Sequence, residues 1–320
     1  AAGSSAAGSG AVTGRDLPLP AGVRGDLAAP APAPVPGISV VIPAHNEAAV
    51  LGRCLDTLLA DARPGEIDVV VVANGCTDET LAVARDRGVR AVAIAKACKQ
   101  AALNGGDAIA RGFPRIYLDA DVFLPTAGIR ALADAVRVPG RLAATPARHL
   151  DLHRRPVLVR GYYAVNARLP AYRTGLFGRG AVALSAAGRA RFDRFPDGLT
   201  ADDLFLDALF SDAEKIQAPA ARVTIATPRR TRDLVRRLAA IRAGTAALRA
   251  DRPGARPAKP WSWLKDVVVA SPRLAPAAVC YVGIVLAAEL RRRVDRLRGR
   301  TDWGRDESSR ELPAAEGVPA

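Results

Sequence analysis

Ile38 to Glu47 reads ISVVIPAHNE, a short β-branched run that passes through a proline into a polar cluster. The same plan recurs downstream. Ile67 to Val72 (IDVVVV) leads into Ala73-Asn74-Gly75-Cys76-Thr77-Asp78, and Arg115 to Leu118 (RIYL) leads into Asp119-Ala120-Asp121. Ala91 to Ala95 supplies a further apolar run. Runs that are apolar throughout, without alternation, are expected of strands covered on both faces. Between them Glu47–Ala60, Asp78–Arg87 and Gln100–Arg111 are Ala/Leu-rich at helical spacing. Strands alternating with helices require right-handed crossovers and predict a mostly parallel α/β sheet flanked by helices. Ligands of such sheets bind beyond the carboxyl ends of the strands, so the three polar clusters are expected to converge on one crevice.

After residue 140 the pattern is less regular. Ala181 to Ser185 and Arg222 to Ala226 read as further strands, and Asp202 to Phe210 reads as a helix. Leu234, Leu238, Ile241 and Leu248 punctuate an Arg-rich stretch as an amphipathic helix pair would. Gly175, Gly178 and Gly180 precede a strand instead of following one, which excludes a dinucleotide fingerprint and predicts a flexible loop.

The 320 residues, 49% of them hydrophobic, can bury a substantial core and exclude a disordered chain. The formal charge of +14 calls for an acidic partner, and its placement is more informative than its size. Residues 37–228 are near balance, with 24 basic and 20 acidic side chains. Residues 229–256 hold nine Arg against Asp233 and Asp251, and residues 291–300 hold six Arg against Asp295. Cys54, Cys76, Cys98 and Cys280 form no CxxC pair and have no His at finger spacing, so a zinc or disulfide framework is not expected.

Residues 1–36 are an Ala/Gly/Pro-rich leader expected to be disordered, as is the tail 301–320. The leader lacks a basic start followed by an apolar stretch, so the domain is expected on the cytoplasmic side. The expected division is a catalytic domain over 37–228 and an Arg-rich helical extension over 229–300, containing an apolar, membrane-associated segment at 274–290. Leu274 to Ala288 has no charge, with Arg273 before it and Arg291, Arg292 and Arg293 after it. It is short for a span of about 20 residues, leaving an interfacial helix, a short transmembrane helix and a buried soluble helix all open. The Arg cluster suits anionic headgroups in the first two cases.

Two carboxylates at i and i+2 directly after a buried strand are costly without a positive occupant, and Mg²⁺ or Mn²⁺ with a diphosphate meets that need. Here the sequence resembles the family 2 glycosyltransferases, which have the GT-A fold and use nucleotide-sugar donors. The resemblance runs from Ile38 to Arg237 through VVIPAHNE, NGCTDET, Lys99 with Ala102-Leu103-Asn104, LDAD, GLFGRGAVALS and LTADDLF.

The resemblance implies roles. Pro43, His45, Asn46 and Glu47 line the nucleoside pocket, with Asp78 and Lys99 completing it. Asp119 lies near the ribose and the metal, and Asp121 is the direct ligand joining the cation to the diphosphate. Asp203 is the general base and Asp202 its neighbour. The family commonly has Asp where Ala73 stands, so a base or ribose contact is either missing or supplied by Asn74. Among Arg229, Arg230, Arg232, Arg236 and Arg237, Arg232 is taken as the donor-diphosphate contact, the alternative being a solvated helix face. No QxxRW-type signature follows, so transfer of one or few sugars is expected. The function implied is an inverting, metal-dependent transfer to a lipid-linked, polysaccharide or small hydroxylated acceptor at the cytoplasmic face of a membrane, in cell-envelope or exopolysaccharide synthesis. Two alternatives are weighed. A nucleotidyltransferase is disfavoured because PAHNE replaces the Gly-rich, cationic loop expected after the first strand. A basic nucleic-acid-binding protein is disfavoured by 5% aromatic content and the lack of a recognised motif, so no nucleic acid is expected as a partner.

Overall fold

The computed structural model describes residues 37–199, 201–251 and 259–298. The leader and the tail expected at 1–36 and 301–320 lie outside the described residues. The first half alternates as the sequence implies: β1 (Ile38–Ala44), α1 (Ala48–Leu59), β2 (Ile67–Asn74), α2 (Thr80–Arg85), β3 (Arg90–Ile94), α3 (Lys99–Ile109) and β4 (Arg115–Leu118). There follow α4 (Thr126–Arg137), β5 (Ala143–Asp151), α5 (Val157–Asn166), α6 (Ala171–Thr174), β6 (Ala181–Leu184), α7 (Ala186–Arg189), α8 (Asp202–Ala208) and β7 (Lys215–Ala226). A long helix α9 (Thr231–Asp251), a π-helical turn at Trp263–Val268 and α10 (Ala275–Leu297) complete the described chain. The stretch expected as an amphipathic helix pair is a single helix, α9, because no Gly-Pro break falls before Asp251.

The seven strands form one sheet in the order β3-β2-β1-β4-β6-β5-β7. Only β6 runs against its neighbours. All seven residues of β1 are buried, because helices cover both faces of the sheet. Val40, Ile42 and Ala44 pack with Leu51, Leu55 and Leu58 of α1 and with Ile129 and Leu132 of α4. Val41 points the other way, toward Leu103 of α3 and Phe205 and Leu206 of α8.

Register places the site. Ala44 lies opposite Ala73, so β1 and β2 end level and their turns touch. Leu118 lies opposite Ala181, so antiparallel β6 begins where β4 ends. The glycine loop before β6 is thereby delivered to the carboxylates after β4. In β5, Pro146 and Ala147 pair with Ala218 and Arg222, leaving Pro219–Ala221 as a bulge. Pro within a strand is tolerated at such an irregularity.

The C-terminal helices are not free of this body. Val159, Tyr162 and Tyr163 of α5 form one cluster with Leu234 of α9 and Ile284 of α10. Gly161 permits that approach, since a Cβ there would meet Cys280 Sγ at 2.8 Å. Glu289 interrupts the apolar run of α10 and binds Arg292 at 2.6 Å and Arg293 at 3.1 Å, with Arg242 of α9 at 3.6 Å.

Candidate active site

The turns after β1 and β2 are laced together by side chains. His45 donates from Nδ1 to the Asn74 carbonyl at 2.6 Å, and the Asn74 amide donates to the Ala44 carbonyl at 2.8 Å. Asn74 is therefore a buried tie between the two strands. Asn46 takes a left-handed backbone conformation, φ 52°, and its Oδ1 accepts from the Thr77 N–H at 2.8 Å. The Glu47 N–H donates to Thr80 Oγ1 at 2.8 Å, and the Thr80 hydroxyl donates to Asp78 at 2.5 Å. Asp78 also accepts from the Ala48 and Thr80 N–H groups. Burial pushes the Asp78 carboxyl up, and these hydrogen bonds outweigh it and hold the group below its ordinary value. Pro43, His45, Asn46, Glu47, Asn74 and Asp78 thus gather at one end of the crevice.

Lys99, the first residue of α3, reaches across the crevice floor. Its Nζ lies 2.7 Å from Asp119 Oδ1 and 2.9 Å from Asp202 Oδ1. One ammonium thereby joins the turn after β4 to the start of α8. Burial would lower the Lys99 pKa, but the two carboxylates prevail and raise it well above the ordinary value. The Asp119 backbone is fixed by its N–H donating to the Gly180 carbonyl at 2.8 Å. Burial pushes the Asp119 carboxyl up to about 6; Lys99 opposes the shift, and the charges of Asp202 and Asp121 add to it. Asp121 is exposed at the mouth.

Asp203 is held by two backbone donors, the Gly178 N–H and the Leu204 N–H, each at 2.8 Å. Burial and the neighbouring Asp202 raise its pKa above the ordinary carboxylate value against those bonds. A carboxylate so placed is fixed in orientation and made more basic, as a proton acceptor requires. Arg232 stands apart from this cluster. It lies 68% exposed in the first turn of α9, with its Nε 3.8 Å from Asp233.

The residues present fit a divalent cation. Asp119 and Asp202 share one ammonium, and Asp203 and Asp121 lie near enough to act on them through their charge, so four carboxylates face the single Lys99. No cluster of three or more His, Cys, Asp or Glu suited to hold a metal by itself occurs among the described residues. An oxygen-rich ligand such as a diphosphate would have to complete the coordination, which is how small hard cations are commonly held.

Such a sheet, with an Asp-x-Asp turn at its centre and a glycine loop and paired acids opposite, is the GT-A architecture of glycosyltransferases that use nucleotide sugars. The enzyme class is glycosyltransferase. Residues 39–170 match the model described as Glycosyl transferase family 2, and this segment is a domain of that family. Among solved structures, the chain is similar to a mannosyltransferase from Pyrobaculum calidifontis in complex with GDP-Man and Mn²⁺, at 22% identity and TM-score 0.53 over 88% of this chain and 87% of that one. It is also similar to glucosyl-3-phosphoglycerate synthase from Mycobacterium tuberculosis in complex with Mn²⁺, UDP and phosphoglyceric acid, at 20% identity and TM-score 0.50 over 70% and 80% of the two chains. At these identities the likeness is one of fold. No curated protein matches the chain.

Sequence reasoning missed the side chains behind the glycine loop. Arg179 is 1% exposed, Arg148 stacks on Tyr172, and Gln217 donates to the Tyr172 carbonyl. An arginine between two glycines reads as solvated, so no pattern marks it.

Proposed function

We propose that the protein transfers a sugar, with inversion, from a nucleotide-sugar donor to a hydroxyl of a lipid-linked, polysaccharide or small acceptor, and uses Mg²⁺ or Mn²⁺. The observation that carries this reading is the Lys99 bridge between Asp119 and Asp202, which sets the donor turns and the acid pair face to face. A bound divalent cation would neutralise the diphosphate leaving group. Asp121 and Asp119 are the residues to hold it, and Lys99 adds a fixed positive charge beside them.

On the acceptor side, Asp203 takes the hydroxyl proton as the acceptor oxygen bonds to the anomeric carbon and the bond from that carbon to the diphosphate oxygen breaks. Attack opposite the leaving group inverts the anomeric centre. The turn of His45, Asn46, Glu47, Asn74 and Asp78 receives the nucleoside, and Arg232 serves only where α9 or the donor brings them together.

The test is a screen of nucleotide sugars with Mg²⁺ or Mn²⁺, reading released nucleoside diphosphate. Turnover that requires Asp121 and Asp203 supports the reading. Binding of no donor, with Asp121→Ala indistinguishable from wild type, overturns it.

We further propose that the enzyme works peripherally at a membrane. The stretch Pro272–Leu297 is long and apolar enough to cross a bilayer by length and composition. Yet one face of α10 is committed to α5 and α9 through Ile284 and Tyr281. Its opposite face exposes Val279, Leu286 and Leu290, with Arg291 and Arg293 alongside. An apolar stripe flanked by arginines suits a helix lying in the plane of anionic headgroups. Release from membranes by high salt supports this placement, and retention through alkaline carbonate indicates insertion instead.

A further inference from the structure

We propose that Arg179 is a positioning residue: its buried guanidinium folds the acceptor loop, Tyr172 to Gly180, into the shape that presents the Gly178 N–H to Asp203. The inference rests on the reading of Asp203 as the proton acceptor.

The side chain is 1% exposed, and every hydrogen bond it makes is to a carbonyl of its own loop. Nη1 donates to Gly175 at 2.7 Å and to Phe177 at 2.9 Å, and Nη2 donates to Tyr172 at 2.5 Å. Its Nε is a buried side-chain nitrogen without a hydrogen-bond partner. Burial pulls the guanidinium down to about 10, with Arg148 adding to the effect. A cation placed at such cost, and bonded to three carbonyls within six residues of one segment, is spent on the geometry of that segment.

That geometry ends at the chemistry. Phe177 and Gly178 follow one another, so fixing the Phe177 carbonyl fixes the next N–H, which donates to Asp203 at 2.8 Å. One residue further on from Arg179, the Gly180 carbonyl receives the Asp119 N–H. The other end of the loop is anchored from behind. The Arg148 guanidinium lies 3.6 Å from the Tyr172 ring centre and donates to Asn166 at 3.4 Å, and Asn166 donates to the Tyr162 hydroxyl at 3.1 Å. Tyr162 stacks on Tyr281 of α10, with ring centres 5.3 Å apart. The clamp therefore connects α5 and α10 to the Asp203 pocket through side chains in contact.

Arg179→Met removes all three donors while keeping an unbranched apolar stem, and Arg179→Lys keeps a charged donor. Donor binding is read with the nucleoside diphosphate and Mn²⁺, and transfer is read as kcat and as KM for the acceptor. Arg179→Met is expected to lower kcat by roughly 10- to 100-fold, the size of effect that a displacement of about 1 Å produces, with donor affinity within about threefold of wild type. Arg179→Lys should recover part of the loss. In an Asp203→Asn background the Arg179→Met effect should vanish, because the two act through one group.

Unchanged transfer in Arg179→Met overturns the proposal, as does parallel loss of donor binding and transfer, or full additivity with Asp203→Asn. If Arg179→Met does not fold, Arg148→Gln, which frees the Tyr172 ring without emptying the loop, must reproduce the split between kcat and donor affinity in smaller measure. Normal turnover of Asp203→Asn alone would instead remove the reading on which the proposal stands.

Discussion

The two ends of the crevice, proposed above as the donor end and the acceptor end, are built differently. At the donor end, the turn after β1 is tied to the turn after β2 by His45, Asn46, Asn74 and Asp78, all within two adjacent parallel strands and their first helical turns. At the acceptor end, Lys99 meets Asp202, Gln100 donates to the Leu199 carbonyl, and Asn104 exchanges hydrogen bonds with Phe195, so α3 is bound to a segment about one hundred residues away. The donor end is local and polar by design of the strand ends. The acceptor end exists only when distant segments have met, so it has more ways to be disturbed from outside the crevice.

The largest expected effect is confined to one end. If Asp203 is the proton acceptor as proposed, Asp203→Asn removes that group but leaves the β1 and β2 turns untouched, so transfer should fall by about 10²- to 10⁴-fold while nucleoside diphosphate binding with Mn²⁺ stays near wild type. Isothermal titration beside a turnover assay reads both. Equal loss of both would erase the distinction between the ends.

Gly180 sits where the ends join, and substitution there should damage both. Its φ is +64°, and a Cβ would lie 2.4 Å from Val122 Cγ2 and 3.1 Å from Asp119 Oδ2. Gly180→Ala is expected to displace the Asp119 turn and the glycine loop together, at a cost of about 1–3 kcal/mol for the strained backbone alone. Its signature is a joint loss of Mn²⁺-dependent donor binding and of transfer. Loss of transfer alone would mean that the Asp119 turn does not depend on the loop.

At the donor end, Asn74→Ala removes the amide hydrogen bond to the buried Ala44 carbonyl and leaves it the weaker Cys76 thiol donor at 3.4 Å, at a cost of about 0.5–1.5 kcal/mol in stability. Thermal melting and donor affinity should fall together, with the kcat of donor-saturated enzyme little altered. A selective fall in kcat would place Asn74 with the reacting groups instead.

The polar turns after β1, β2 and β4 were legible because their physics is local. Buried parallel strands must be apolar throughout, and the polar residues released at their ends are next to one another in sequence, as in His45-Asn46-Glu47 and Asp119-Ala120-Asp121. The pairing of β5 with β7 was not legible. Pro146 breaks the apolar pattern of β5, and it keeps its place in the ladder because β7 bulges at Pro219–Ala221 opposite the Pro146–Ala147 step. The place of Lys99 at the start of α3 was readable, but its bridge to Asp202 was not, since nothing in either neighbourhood encodes the other. Arg179 and Tyr172 were hidden for a different reason: a buried arginine satisfied by carbonyls leaves no trace in side-chain pattern. The apolar segment after Leu274 was legible as a helix, whereas its union with α5 through Tyr281 and Tyr162 depends on the tertiary contact.

The smallest expected effect asks whether the two ends belong to one cooperative unit. Far from the crevice, where β2 and β7 begin, each half carries one carboxylate held in a turn. Glu66 binds Arg130 at 2.6 Å and accepts from the Arg63 N–H at 2.9 Å. Glu214 accepts from the Ser211 N–H and hydroxyl, each at 2.9 Å, and binds Arg191. The Arg130 hydrogen bond, with the Arg63 N–H, holds Glu66 down to about 2; the Ser211 N–H, with Arg191, does the same for Glu214. A folded pKa below the unfolded value of about 4.3 contributes stability that is present above that pH and lost as pH falls toward 2. Glu66→Gln and Glu214→Gln should each flatten the fall in melting temperature between pH 5 and 2.5 slightly, since both groups are solvent-screened. If donor and acceptor halves unfold together, both substitutions shift the same single transition. A shift that divides the melt into two steps, each answering to only one of the two carboxylates, would show that the β4–β6 ladder and the shared core do not make the sheet one cooperative unit.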